Sequence, residues 1–488
     1  MPAPNAAGAR PAGRPEKPLT PLQLIGAALG IIVCIILWNV GPFWGMEAGG
    51  QHYFAILIMC VIFWFTQPIP SEFTALLLIT LPFLLNIVDM KTAFGGFTSN
   101  TTWFIFGALL CGKIVSVTGL DKRVAYNVLA KLGRFGSSYK GVLLSVFIVA
   151  FIATFVIPSG TVMITLLCVI FFPFISAFGV ESKSNIGKGL LMFAVFVVVT
   201  NGKMFLTGSN FNMVVWGTLA DNVNENISWL NWFISMAPAC IIVCLIMYFV
   251  IRAAYKPEVP ELQGGAAVMK EKVKELGKMK PEEKRAAVLF ALALILWMTG
   301  ELTNIPVASV AIGVALLSML PKIGVQSFRD GISRLNWPIL IFTAAVMGMP
   351  SVMGKLGVDA AFNSAFNSIM GGSITSPLSF LGVVWLLTQI GCWLGLSMAT
   401  APIMLPMLFP LCASLGVPYA AVVFVCTLSA PMVFFYHGPH PLIASGYGTF
   451  EQTDFIKMGF VYMLSWIPVL LLMWYVWWPL CASWGLIF

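Results

Sequence analysis

Across its 488 residues the chain is 59% hydrophobic and only 9% charged, with a formal net charge of +8. A soluble protein holds roughly 25% charged residues, so a water-soluble domain is excluded. A β-barrel is excluded as well, because barrel strands alternate and are only weakly apolar. The composition is that of a polytopic α-helical membrane protein lying in a lipid bilayer. The basic residues gather in a few loops between apolar runs; the positive-inside rule explains them without a nucleic-acid partner. The 10 cysteines fall mostly inside apolar runs, as at Cys34, Cys60, Cys240 and Cys244. They show no metal-ligand spacing and read as packing residues, not disulfides.

Residues 1–20 are rich in Pro, Ala and Gly, with Arg10, Arg14 and Lys17. They read as a disordered cytoplasmic tail. The apolar stretch Leu22–Trp38 is too long for a signal-peptide core and lacks a small-residue cleavage site, so the unit 21–45 holds a first transmembrane helix. Runs approaching the ~20 residues that cross a bilayer predict about 11 full spans. They lie near 22–40, 52–66, 71–88, 101–118, 190–219, 232–251, 286–300, 304–320, 337–353, 419–447 and 456–484. Two further pairs of apolar arms, 141–178 and 377–413, bend in the middle and read as re-entrant helical hairpins that enter and leave by one face.

Between Arg252 and Arg285 runs a basic linker with interleaved Glu, and its 269–285 portion has the Glu–Lys pairs of a short surface helix. Its charge places it in the cytoplasm beside the N-terminal tail. Six crossings then separate the two. Residues 46–251 and 286–488 thus become two inverted repeats, with the C-terminus outside. The first hairpin follows Lys122, Arg123, Lys131, Arg134 and Lys140 and enters from the cytoplasm; the second enters from outside. Repeat-like pairs support the duplication: Asp359 lies 238 residues after Asp121, and Ser397 lies 238 after Ser159.

Each hairpin bends at small polar residues: Pro158-Ser159-Gly160-Thr161 in the first, Ser397-Met398-Ala399-Thr400 in the second. Each is followed by a broken span. The first break falls within Thr207-Gly208-Ser209-Asn210-Phe211-Asn212, and the second within His437-Gly438-Pro439-His440-Pro441. Backbone that breaks at membrane depth is tolerated only under protein or beside a water-filled cavity, and matched breaks in two halves point to a transporter's binding site. The deep spans hold no obvious carboxylate. The deep charge is Lys203, with His437 and His440 at the opposite break. A cation and two imidazoles around a midplane cavity favour an anionic substrate.

The substrate-binding candidates are therefore Ser159, Gly160 and Thr161 at the first tip, and Ser397, Met398, Ala399 and Thr400 at the second. Lys203, Pro439 and His440 complete them. Half-helix N-termini at the tips attract carboxylates. Carbonyls and hydroxyls at Ser159, Gly208, Asn212, Ser397 and Gly438 suit Na+. The competing reading, that these residues only satisfy a kink, would win for a single copy; two related copies favour a site. No nucleophile–base set or metal-binding helix motif appears, and no cofactor is expected beyond Na+ or H+ as a coupling ion.

At these motifs the chain resembles the divalent anion/sodium symporter family of di- and tricarboxylate carriers over residues 50–484. Ile157-Pro158-Ser159-Gly160-Thr161 and Ser397-Met398-Ala399-Thr400-Ala401-Pro402 are similar to the family's two Ser-Asn-Thr tips. Gly208-Ser209-Asn210-Phe211-Asn212 and Gly438-Pro439-His440-Pro441, with Ser445-Gly446-Tyr447, are similar to its fifth- and tenth-span breaks. The resemblance implies a homodimer, a scaffold domain, and a transport domain that moves as an elevator with a carboxylate between the tips and two sodium ions beside it. Where the family places a tip Asn, this chain has Gly160, and Met398 or Ser397. Sodium coupling is thereby put in question: Lys203 is placed to occupy a sodium position, and His437 or His440 to carry a proton. The function expected is secondary active transport of small organic anions by alternating access, in a bacterial inner membrane, with Na+ or H+ coupling or anion exchange. The alternatives are the membrane subunit of a binding-protein-dependent carrier, or an anion channel.

Overall fold

A computed structural model of the chain describes residues 19–132, 135, 138–157, 159–259, 277–333, 335–370, 374 and 376–486. Residues 1–18 of the expected tail, 260–276 of the basic linker, Arg134 and Pro158 lie outside the described residues. Of the surface helix expected over 269–285, the described part is non-helical at 277–280, and from Pro281 it forms the start of the next long helix. Among those described, the regular elements are helical, and nine helices are long and apolar enough to cross a membrane.

Helix α1 (Pro21–Asn39) opens on Thr20, whose hydroxyl accepts from the Gln23 amide while the Gln23 side chain returns to the Thr20 N–H. This reciprocal cap satisfies two donors that a helix start leaves open. Helix α1 packs on α2 (Ala48–Thr66) through Gly26 and Gly30, where an added Cβ would strike Thr66 and Phe63. Helices α3 (Ser71–Leu84), α4 (Asn100–Thr118) and α5 (Leu120–Lys131) follow. The first hairpin is α6 (Tyr139–Thr154) and α7 (Gly160–Ala177). The first broken span is α8 (Asn185–Met204) and α9 (Asn210–Val223), and α10 (Trp229–Ala254) completes this half.

The second half runs α11 (Pro281–Met298), α12 (Val307–Leu317), α13 (Trp337–Lys355) and α14 (Val358–Met370). Its hairpin is α15 (Pro377–Trp393) and α16 (Ser397–Leu415). Its broken span is α17 (Tyr419–Ser429) and α18 (Pro439–Ser445). The last span starts as α19 (Gln452–Leu472), passes through a π-helical turn at Met473–Trp477 and ends as α20 (Trp478–Ser483).

Two expected spans are shorter than predicted. The run 71–88 yields 14 residues of helix and 304–320 yields 11. At 1.5 Å per residue these reach about 21 and 17 Å, short of a ~30 Å hydrocarbon core. In α3 the amide missing at Pro82 precedes the end of the helix by two residues. In α12 the chain turns at Ser318, whose carbonyl accepts from Val325 and Gln326 instead. The hairpin arms, at 16, 18, 17 and 19 residues, are longer than either.

Packing between the halves is reciprocal. Helix α4 lies along α12, and α3 along α13. The outer arm α7 rests on α18, the far half of the other broken span; α16 rests on α9 in the same way. Likewise α8 meets α18, and α17 meets α9. Small residues permit the closest approaches: a Cβ on Gly107 of α4 would lie 2.6 Å from the Ala311 carbonyl carbon of α12. Helix α8 is the most enclosed span, with 83% of its apolar window buried, and it carries Lys203 in its last turn.

Candidate functional site

The first break is built by hydrogen-bond bookkeeping. Helix α8 ends when Phe205 turns extended, a short 3-10 turn spans Leu206–Gly208, and Ser209 caps α9 by accepting from the Phe211 N–H at 3.2 Å. Carbonyls freed by the break need donors. Asn212 supplies them: its Nδ2 donates to the Gly202 carbonyl at 2.8 Å and to the Phe205 carbonyl at 2.7 Å. Its Oδ1 is buried with no partner among the described residues. Gly208 is required by the same fold-back, because a Cβ there would sit 2.4 Å from the Gly202 carbonyl oxygen.

At the second break α17 stops at Ser429 and the backbone leaves the helix at Ala430. His437 stitches the loop: its Nδ1 accepts from the Val433 N–H at 3.1 Å and from the Phe434 N–H at 3.5 Å. Of the two histidines, His437 is thus the one that serves unwound backbone.

Lys203 reaches across from the first half to the open carbonyls of the second. Its Nζ donates to Leu428 at 2.9 Å and to Ala430 at 2.8 Å, and lies 4.6 Å from the Trp466 ring centroid and 5.6 Å from that of Tyr462. The carbonyl between these two, on Ser429, accepts from Gln389 of α15. The negative end of a helix dipole is therefore closed by an ammonium and an amide. Lys203 is only 5% exposed. Its contacts, two carbonyls and an aromatic face, are those a small cation would make. Sequence reasoning gave it two roles, pairing with substrate charge or standing where a sodium ion would; in the structure its ammonium donates to two backbone carbonyls.

At the first tip Ser159 caps α7, accepting from the Val162 N–H at 3.5 Å. Gly160 faces His440: a Cβ on Gly160 would lie 2.4 Å from His440 Nε2. The imidazole fills the room that a side chain at the tip would take, and its Nδ1 has no partner among the described residues. Thr161 and Pro439 are exposed nearby in sequence. At the second tip Gly395 takes φ +75°, a left-handed conformation suited to glycine, and the Thr400 hydroxyl donates to the Leu396 carbonyl at 2.9 Å. Ser397 and Met398 are half-buried, and Ala399 and Thr400 are buried. The tip backs onto α2, with Gly395 against the Trp64 carbonyl.

Of the candidates named from sequence, Gly160 and His440 meet directly, and Lys203 joins the first half to the second break. Gly208 and Asn212 meet across the first break through Gly202. Gly438 is extended and lies beside His440 Nδ1. Sequence reasoning passed over Gln389 and Trp466. Gln389 carried a usable signal, an amide inside an apolar arm. Trp466 carried none, being one tryptophan among 16.

These features define a helical membrane protein with two hairpins and two broken spans folded around one another. The chain matches the model of the sodium:sulfate symporter transmembrane region over residues 23–484. It belongs to that family, which is the divalent anion/sodium symporter family of the sequence resemblance. A putative malate transporter of Bacillus subtilis is 23% identical over 95% of this chain and 98% of its own. A citrate/succinate antiporter of Escherichia coli is 24% identical over 90% and 94%. Among solved structures, MtrF of Neisseria gonorrhoeae, described with a class of antimetabolite efflux pumps, superposes with a TM-score of 0.53 at 16% identity. That match covers 92% of this chain and 94% of MtrF, and at such identity it speaks for the fold alone. The protein is an integral membrane anion transporter of this family.

Proposed function

We propose that this chain exchanges small organic anions, di- or tricarboxylates, across the membrane by elevator-type alternating access. The two halves act as inverted repeats in a homodimer of the bacterial inner membrane, N-terminus cytoplasmic and C-terminus outside. The carboxylates are held by N–H groups and hydroxyls at Ser159, Gly160, Thr161, Ser397 and Met398, with His440 and Pro439 beside the first tip. Ala399 and Thr400 support the second tip, their amides and the Thr400 hydroxyl donating to the Leu396 carbonyl. The observation that carries the coupling mode is the placement of Lys203. Its ammonium sits in a carbonyl setting at the second break, a positive charge that cannot leave with the substrate. A resident cation neutralises the site without a co-transported one, and this favours exchange over sodium- or proton-coupled uptake. The names of the relatives, one a malate transporter and one a citrate/succinate antiporter, support carboxylates as cargo. The cation-binding alternative has its ligands at the first break, where Asn212 Oδ1 is the acceptor still open.

Counterflow in proteoliposomes holding this chain alone tests the reading, with a panel of di- and tricarboxylates and with sodium replaced by choline. Exchange predicts accumulation of label only against an internal carboxylate, at equal rates with and without sodium. Sodium-dependent net uptake that disappears in Asn212→Ala would overturn exchange and assign sodium to the first break. Flux without any internal anion would identify a channel.

A further inference from the structure

The outer arm of the second hairpin, α16, has proline at every fourth position: Pro402, Pro406 and Pro410. Residues four apart share one face of a helix. Proline brings no N–H, so the carbonyls of Met398, Pro402 and Pro406 each lose the donor that a helix supplies one turn later. Among the described residues no side chain donates to these three oxygens. Carbonyls without that donor persist at membrane depth only where protein or water covers them.

The proline face turns toward protein, since α9, α13 and α14 all pack on α16. There it borders a cavity of about 270 Å³, lined among others by Pro406, Pro410, Pro350, Asp359, Asn222 and Tyr419. At about 30 Å³ of liquid per molecule this holds several waters. Exposure rises along the face: Pro402 is buried, Pro406 half-buried and Pro410 exposed. From Pro410 down to Met398 beside the tip is about 18 Å of helix, more than half of a ~30 Å hydrocarbon core. Pro350 of α13 lies in the same wall and likewise removes an amide. The ionisable carboxylate of the cavity wall is Asp359. That carboxylate gives the space a negative charge, which repels a carboxylate substrate and attracts small cations.

We propose that the proline face of α16 is a hydrated access route for small cations, leading from this cavity toward the second hairpin tip and separate from the anion's own way in. The cavity opens where α9 and α13 end and α17 begins, the side the basic loops assign to the outside. The proposal stands on helix chemistry and on the cavity. It does not need carboxylate exchange to hold, because thiol labelling reports access whether or not a carboxylate moves.

Single cysteines placed in the cavity wall by Asn222→Cys and by Tyr419→Cys, which leave all three prolines in place, test it in the full-length chain in sealed vesicles. A cationic (trimethylammonium-ethyl) and an anionic (sulfonato-ethyl) methanethiosulfonate are compared, each rate divided by that of a free thiol. The unsubstituted chain supplies the background for its ten cysteines, of which nine are buried and Cys34 is partly so. The expected result is modification at both positions with a cation preference of roughly tenfold, falling toward one in Asp359→Asn. No reaction at either position, or an anionic rate equal to the cationic one, overturns the route. Should one variant fail to fold, Val223→Cys carries the same charge comparison, and a ratio near one there and at the remaining position overturns it.

Discussion

Lys203 illustrates how one buried charge is made tolerable. An ammonium at membrane depth is costly unless it is paired, and here two carbonyls and the Trp466 face surround it. Replacing it by Met keeps the bulk and removes the donor, leaving the Leu428 and Ala430 carbonyls without a partner at about 1–3 kcal/mol each. The expected outcome for Lys203→Met is a lower melting temperature together with loss of sodium-independent exchange, read by thermal unfolding of the purified protein and by counterflow. Unaltered exchange would remove Lys203 from the coupling. Gly160 and His440 form a second residue-scale pair. Because a methyl at position 160 would meet His440 Nε2, Gly160→Ala is expected to slow exchange by about tenfold or more, for a clash worth at least ~1.4 kcal/mol. The double variant Gly160→Ala with His440→Ala is expected to recover part of that rate. A double variant as slow as the single one would show that the two positions are not coupled.

At the scale of elements, the breaks are set by backbone chemistry more than by apolar packing. Each broken span leaves carbonyls that something must satisfy: Asn212 at the first break, Lys203 and Gln389 at the second. Glycine matters only where the fold-back demands it. A Cβ on Gly208 would press on a backbone oxygen, whereas one on Gly313 in α12 meets nothing within 4 Å. Gly208→Ala is therefore expected to destabilise the protein by about 2 kcal/mol or more, as overpacking does. Gly313→Ala should be neutral or slightly stabilising because a helix-interior glycine is replaced. Thermal unfolding of the two variants side by side checks this; equal stability would mean that the fold-back relaxes freely.

Across the whole molecule, contacts between the halves place each hairpin's outer arm on the other half's broken span. Each hairpin also packs within its own half, α6 and α7 on α8 and α15 on α17, so the outer arms bridge the two halves and a cavity bordered by both lies beside one of them. This is the cavity beside α16, with Asn222 from the first half and Asp359 and Tyr419 from the second.

Much of this was legible in the chain because the bilayer imposes strict rules. Apolar length revealed spans, charge in loops suggested sides, and small polar residues amid apolar runs marked the tips and breaks. The family resemblance rested on the same short motifs, and the match over residues 23–484 agrees with it. What sequence alone determined was thus the class of protein and where its backbone must depart from helix. It could not tell how far each apolar run stays helical: the runs 71–88 and 304–320 yield helices of only 14 and 11 residues. Nor could it say what Lys203 touches: its partners lie 225 and 227 residues away. Only tertiary packing decides such pairings, because an open carbonyl accepts from whichever donor the fold carries to it, and that choice leaves no local trace in the chain.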